Sequence, residues 1–207
     1  MGETSERPGS VATGPGDETS VLERVAFVPG TAAAVGAYLL SYLVTYVTQS
    51  AAVRDRLAGL NFVAGLFGGD PVAAWQAVGW YLYNAHFVAT VVPSLGGGTR
   101  AANLLASADA NLGYLYLVPP LALLAAGAAV ARVADARDAR DGAVAALGTV
   151  PAYFLLAIAG AFVFAYGAGD AGSIHPEYVT AALLAGLVYP AVFGSVGGAV
   201  GGLLGDG

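Results

Sequence analysis

The chain has 207 residues, of which 57% are hydrophobic and only 11% are charged, a balance that excludes an ordinary soluble domain. Its 14 acidic and 8 basic residues give a net charge of −6, and without a basic patch this acidity excludes nucleic acid as a partner. No cysteine is present, which excludes disulfides, thiolate chemistry and cysteine-ligated metals.

The first segment, residues 1–20, is rich in Gly, Ser, Thr, Pro and acidic residues. Almost none of its side chains could enter a hydrophobic core, so this composition predicts a disordered acidic tail. Residues 21–207 form the predicted membrane domain.

Five runs without a charged residue follow the tail, and each is at least 22 residues long. A helix needs about 20 apolar residues to cross a hydrocarbon core about 30 Å thick. Buried strands are much shorter, and the alternation expected of a membrane β-barrel does not occur. We therefore predict an all-α, polytopic membrane helix bundle with about five transmembrane helices. The predicted spans are residues 27–49, 71–93, 113–134, 143–167 and 179–204.

A short amphipathic segment, residues 51–67, separates the first two predicted spans. Its apolar residues recur at spacings of four and three: Val53, Leu57, Leu60, Ala64 and Phe67. This pattern predicts a short interfacial or re-entrant helix. Asp70 and Pro71 then mark the start of the second span, because Asp can cap a helix and proline loses no hydrogen bond at the first helical position.

Polar side chains lie on one face of each of the first two predicted spans, within an arc of about 160° at about 100° per residue. In the first span these residues are Tyr38, Ser41, Tyr42, Thr45, Tyr46, Thr48 and Gln49; in the second they are Gln76, Trp80, Tyr83, Asn84, His86 and Thr90. Because polar groups in hydrocarbon need partners, we expect the two faces to meet inside the protein.

Two interpretations of these polar faces remain open. Helix packing through interhelical hydrogen bonds explains them. A hydrated path or small-solute pocket also explains them, because ionisable groups inside spans often mark pathways and His86 can change charge near neutral pH. A water-accessible cavity along these residues would support transport, whereas a dry interface would count against it. The candidate residues are Tyr38, Tyr42, Thr45, Gln76, Trp80, Tyr83, Asn84 and His86.

Glycines recur at every fourth position of the last predicted span, as Gly194, Gly198 and Gly202, with a second row at Gly197, Gly201 and Gly205. Such rows predict close backbone contact with another helix, either within the chain or in an oligomer. Prolines inside the spans remove helical hydrogen bonds, so kinks are expected at Pro119, Pro120, Pro151 and Pro190.

Few residues inside the spans could carry catalysis. Paired aspartates are absent there, and His86 is the one candidate base, so we predict a non-enzymatic protein with no catalytic residue, metal site or cofactor. Arginines in the connecting segments predict the orientation. Arg54, Arg56, Arg132, Arg137 and Arg140 on one side outnumber Arg7, Arg24 and Arg100 on the other. Positive charge stays on the cytoplasmic side, so the N-terminus is predicted outside the cell membrane and the C-terminus inside.

Three features together resemble an uncharacterised haloarchaeal family of multi-pass integral membrane proteins. They are the acidic, lysine-free tail, the segment GGDPVAAWQAVGWYLYNAHFVAT at residues 68–90 and the segment LYLVPPLALLAAGAAVAR at residues 115–132. The resemblance implies a halophilic archaeal membrane but no established activity, substrate or functional residue. Acidity itself has two explanations, adaptation to high salt and a GC-rich genome.

Two functions are therefore carried forward as hypotheses. The first is a non-enzymatic scaffold or complex subunit whose partners are the lipid bilayer and a second copy or another membrane protein. The alternative is a small channel or transporter for an ion or small solute, using the polar faces of the first two spans.

Overall fold

The computed structural model describes residues 24–66, 70–94, 97–107, 110–167, 169 and 172–205. The predicted tail, residues 1–20, lies outside these ranges. Within them the chain is mostly helical, with a small antiparallel sheet. The helices are α1 (Phe27–Leu66), α2 (Ala74–Ala85), α3 (Val118–Val133), α4 (Ala139–Ala146), α5 (Thr149–Val163) and α6 (Tyr178–Leu203). The strands are β1 (Thr90–Pro93), β2 (Thr99–Ala102), β3 (Tyr166–Gly167) and β4 (Ser173–Pro176).

Four helical stretches in the described part of the chain are long and apolar enough to cross a membrane. They are Phe27–Gly59 in α1, Leu112–Val133, which adds a 3₁₀ turn to α3, Ala139–Val163, which joins α4 and α5, and Tyr178–Leu203, which is α6. About five spans were predicted from the uncharged runs, and the run at residues 71–93 accounts for the difference.

The structure does not have the single helix predicted over residues 71–93. Helix α2 has 12 residues, which at about 1.5 Å per residue is too short for a hydrocarbon core of about 30 Å. A turn follows, in which Phe87 has a left-handed φ of 60°, and the chain continues as β1. The β-branched residues Thr90, Val91 and Val92 favour this strand. An uncharged run shows only that a segment is long enough to cross a membrane. Here the chain instead reverses its direction within the run.

The segment of residues 70–93 enters and leaves the bundle at the same end. At its start, the Gln76 amide donates a hydrogen bond to the Ala165 carbonyl, just beyond the end of α5 (3.0 Å). At its finish, β1 pairs with β4, which lies immediately before α6. In between, the Ala85 carbonyl accepts a hydrogen bond from Tyr189, in the middle of α6 (3.3 Å). Residues 70–93 therefore form a re-entrant segment.

The four strands form one antiparallel sheet in the order β2-β1-β4-β3. Val91 of β1 lies opposite Ala101 of β2 on one side and His175 of β4 on the other. The predicted all-α class is corrected by this sheet. Its strands have only two to four residues, which is too short for a periodic signal, and the central pair, β1 and β4, joins segments far apart in sequence.

The segment predicted as a separate interfacial helix, residues 51–67, is continuous with α1 up to Leu66. No proline interrupts α1 after Pro29, and its alanines favour continuation. The Asn61 side chain pairs with both backbone groups of Val72, donating to its carbonyl oxygen (3.1 Å) and accepting from its amide (2.9 Å). This part of α1 thus packs against the entrance of the re-entrant segment.

Three of the prolines lie where a helix tolerates them. Pro119 and Pro120 are in the first turn of α3, and Pro151 is in the first turn of α5, so their missing N–H groups cost no helical hydrogen bond. Pro190 lies in the middle of α6, at the start of the second of two stretches of π-helical hydrogen bonding, residues 181–188 and 190–194. The wider π turn accommodates this proline without ending the helix.

Both ends of the described chain lie at one end of the bundle, which we call the termini end; the sheet occupies the other, the sheet end. The Ala26 amide donates to the Ala145 carbonyl (3.2 Å), and Gly202 packs against the backbone of Asp138.

Candidate functional site

The polar faces predicted for the first two spans meet inside the bundle at two contacts between α1 and α2. The hydroxyls of Tyr38 and Tyr83 are 3.2 Å apart, and both side chains are buried. The Tyr42 hydroxyl donates to the Trp75 carbonyl (3.1 Å). These contacts place α2 alongside α1 through hydroxyl groups instead of apolar packing alone.

The rest of the polar face of α2 reaches α5, which sequence reasoning did not connect with it. The Trp80 indole N–H donates to the Phe164 carbonyl (2.8 Å) and the Gln76 amide to that of Ala165. Carbonyls at the end of a helix have no intrahelical partner, so these two side chains satisfy the end of α5. Tyr83 also donates to the Ala157 carbonyl within α5.

His86 lies at the deepest point of the re-entrant segment and is 1% exposed. Its Nδ1 is 2.8 Å from the Leu82 carbonyl oxygen and its Nε2 is 2.9 Å from the Tyr153 hydroxyl. A carbonyl can only accept, so Nδ1 carries a hydrogen, while Nε2 and the Tyr153 hydroxyl share a second hydrogen bond. Protein groups therefore fix the orientation of the ring and are the partners of both of its nitrogens.

Asn84 fastens the turn that reverses the chain. Its side-chain amide donates to the Val88 carbonyl (2.7 Å) and to the Thr90 hydroxyl (3.2 Å), and its carbonyl oxygen accepts from the Leu104 amide (2.6 Å). A helix interior would give these backbone groups helical partners. Here one side chain replaces those partners and ties the turn to the segment after β2.

The buried hydroxyls of α1 bond mainly to their own helix. Thr45 donates to the Ser41 carbonyl and Ser41 to the Ala37 carbonyl, each at 2.8 Å. Across the described residues, every buried side-chain nitrogen or oxygen has a protein partner. The eight candidate residues thus lie around α2, with their hydrogen-bonding groups directed at protein.

Tyr153 of α5 and Tyr189 of α6 belong to this polar centre but were missed from the sequence. The Tyr189 ring also packs against the His86 ring, with centroids 4.8 Å apart. Each lies several residues from the other hydroxyl-bearing residues of its helix and belongs to no polar stripe. The available signal was that a tyrosine far from the ends of a span needs a partner for its hydroxyl.

The glycine rows of α6 are used within the chain. The first row, Gly194, Gly198 and Gly202, lies against α4 and the start of α5. A Cβ added at Gly198 would be 2.2 Å from the Gly142 carbonyl oxygen, and one at Gly202 would be 2.1 Å from that of Asp138. The second row lies against α3, where a Cβ at Gly197 would be 2.0 Å from the Leu124 carbonyl oxygen. Helix α6 is therefore held between α3 and α4 by backbone contact.

Glu177 caps the start of α6 at the sheet end. Its carboxylate accepts hydrogen bonds from the Thr180 hydroxyl and from the amides of Thr180 (2.6 Å) and Val179 (3.2 Å). The Thr180 hydroxyl, together with these amides, lowers the pKa of Glu177 below its ordinary value. Among the described residues, no group of three His, Asp or Glu side chains could hold a metal ion.

Four helices of membrane-spanning length, packed around a polar centre, indicate a membrane protein. The chain belongs to a family of unknown function, DUF7978, whose model matches residues 11–205. No curated protein and no solved structure matches the chain.

Proposed function

We propose that the chain is a non-enzymatic integral membrane protein that serves as a scaffold or as a subunit of a membrane complex. The observation that carries this proposal is the use of the polar centre for packing. Its buried groups are paired with protein, so the described centre offers no unpaired group for substrate or cargo. The surfaces left for partners are apolar helix faces, including Leu39 and Leu43 of α1 and Val196 of α6, each about half exposed.

A halophilic archaeal cell membrane is part of the same proposal. Its support is the excess of 14 acidic over 8 basic residues and the complete use of arginine for positive charge. An acidic surface favours solubility at high salt.

We propose that all four apolar stretches cross the membrane, which places both termini on one side of it, and that this side is the cytoplasm. This orientation differs from the one predicted from the sequence, in which the N-terminus lies outside. Arginines at the termini end are Arg24, Arg132, Arg137 and Arg140, and those toward the sheet end are Arg54, Arg56 and Arg100. The modest excess at the termini end favours the cytoplasmic side there. The sheet and the ends of the re-entrant segment then face outward.

Single cysteines test insertion and orientation directly, because the natural sequence contains none. Ser173→Cys is exposed in β4 at the sheet end, and Ala134→Cys is exposed after α3 at the termini end. We expect a membrane-impermeant maleimide to label Ser173→Cys on intact cells and Ala134→Cys only after lysis. The reverse pattern would overturn the orientation alone, and equal labelling of both on intact cells would overturn the four crossings.

A third cysteine distinguishes packing from a pathway without any guess about cargo. The side chain of Thr45 is fully buried in α1. We expect Thr45→Cys to react with a small charged thiol reagent far more slowly than Ser173→Cys, since reaction requires local opening of the bundle. The matched control is Thr48→Cys, one turn further along α1 on the outer surface of the bundle, which gives the reaction rate of a position covered by lipid. Rapid labelling of Thr45→Cys would mean a hydrated face and would refute the packing role.

The alternative, a small channel or transporter, is favoured by one observation, the re-entrant segment itself. Irregular backbone at membrane depth occurs where it is buried in protein or lines a cavity, and helices broken at the bilayer midplane are frequent in transporters. In this chain the His86 and Tyr189 side chains bond to the carbonyls at the end of α2, and Asn84 bonds to the turn that follows. Protein groups therefore satisfy this irregular backbone, which supports the first proposal. A flux assay in vesicles that shows conduction lost in His86→Ala would favour the alternative.

A further inference from the structure

A charged cavity of about 490 Å³ lies at the termini end of the bundle. Its walls come from the residues just before α1, from the loop between α3 and α4, and from one face of α4. Four of the lining residues are charged: Arg24, Asp135, Arg137 and Asp141.

Two of these four charges neutralise each other. The Arg24 guanidinium lies 3.3 Å from the Asp141 carboxylate, and both side chains are partly exposed. Asp135 and Arg137 form no ion pair with any residue in the described ranges. They lie two residues apart in one loop, line the same cavity and leave it with one unpaired charge of each sign.

Apolar side chains flank this cavity on two sides. Phe27 and Val28 follow the wall residue Ala26, and Val133 precedes the wall residue Ala134. Val28 is 84% exposed and Val133 is 68% exposed, at the ends of helices that are apolar enough to span a membrane. A ligand that combines a charged group with hydrocarbon matches such a position, since the charged group can enter the cavity while the hydrocarbon covers the apolar side chains.

We propose that this cavity binds the zwitterionic headgroup of a membrane phospholipid. The phosphate pairs with Arg137, for which a guanidinium is well suited, and the ammonium pairs with Asp135. The phosphate of a purely anionic headgroup could also pair with Arg137, but such a headgroup would leave the Asp135 carboxylate without a cationic partner. A soluble zwitterion has the same charges but no hydrocarbon to cover the exposed apolar side chains beside the cavity, so we favour a lipid as the ligand. The proposal rests on the membrane location and is independent of the scaffold role.

The test uses the full chain purified in a mild detergent. Binding of phosphatidylethanolamine, phosphatidylglycerol and soluble glycerophosphoethanolamine, which has the same phosphodiester and ammonium groups as the lipid, is measured by titration, with the thermal melting temperature as a second readout. We expect phosphatidylethanolamine to bind at least about tenfold more tightly than either of the others. Arg137→Gln and Asp135→Asn should each weaken that binding about tenfold or more, as expected for loss of a charge-assisted contact. Arg132→Gln, an exposed arginine at the same end that does not line the cavity, should bind like the unmodified chain.

Equal binding of the anionic lipid, with no effect of Asp135→Asn, would overturn the zwitterionic assignment. Equal or tighter binding of soluble glycerophosphoethanolamine would overturn the lipid assignment. Both altered residues are exposed, so melting temperatures without lipid should match that of the unmodified chain and confirm folded variants. Cysteine labelling reports insertion independently, so normal labelling with no lipid preference would refute this inference alone.

Discussion

Replacing Gly198 by alanine is expected to lower the free energy of unfolding by about 3 kcal/mol, near the upper end for overpacking of a core. The added Cβ would lie 2.2 Å from the Gly142 carbonyl oxygen and 2.6 Å from the Ala146 Cβ. Relief requires moving α6 away from α4, because the first obstacle is backbone. Gly198→Leu is expected to prevent native packing of α6 and to change elution in mild detergent. Thermal unfolding followed by circular dichroism, together with size-exclusion chromatography, measures both effects.

Gly36→Ala provides a matched control in α1. Gly36 is also a helical glycine, but nothing lies within 4 Å of a Cβ added there. Alanine is a better helix former than glycine by about 1 kcal/mol, so this variant should keep or slightly gain stability. Similar stability of Gly198→Ala and Gly36→Ala would show that the glycine row is not a tight contact.

Replacing Asn84 by leucine is expected to cost about 3 kcal/mol and to loosen the re-entrant turn. Leucine has a similar size but leaves the Val88 carbonyl and the Leu104 amide without their partner, and each unpaired buried backbone group costs about 1–3 kcal/mol. We expect faster amide hydrogen exchange at residues 86–90 than in the unmodified chain, as well as a lower melting temperature.

Thr48→Val is the comparison for Asn84→Leu. The Thr48 hydroxyl is exposed and bonds to the Val44 carbonyl of its own helix (2.8 Å), so its loss should change stability by less than about 0.5 kcal/mol. Unchanged hydrogen exchange at residues 86–90 in Asn84→Leu would contradict the role assigned to this side chain.

The polar centre could be predicted only in part from the sequence. The arcs on α1 and α2 are local patterns, and Tyr38, Tyr42 and Tyr83 do lie between the two helices. The partners of Trp80 and His86 are a backbone carbonyl of α5 and the hydroxyl of Tyr153. The carbonyl has no sequence signal, because every residue has one. Tyr153 shows only that its hydroxyl needs a partner inside the span, and nothing in the sequence identifies that partner as His86.

The sequence by itself determined which segments are apolar and which helix surface lacks side chains. Long uncharged runs favour helices in a lipid environment, since the backbone groups of a helix bond within the segment, although the run at residues 71–93 is helical over only part of its length. The glycine spacing at residues 194, 198 and 202 likewise determined that α6 presents a surface without side chains. Both properties depend only on residues that are close together in the sequence.

The tertiary structure alone decided the path of the chain. The run at residues 71–93 is long enough to cross a membrane, but Asn84, the carbonyls at the end of α5, and strand β4 stabilise its reversal. The α5 carbonyls and strand β4 lie up to about 90 residues away from the run in sequence, so their contribution could not be predicted from the run itself. With the four proposed crossings both termini lie on one side of the membrane, whereas the five uncharged runs predicted opposite sides.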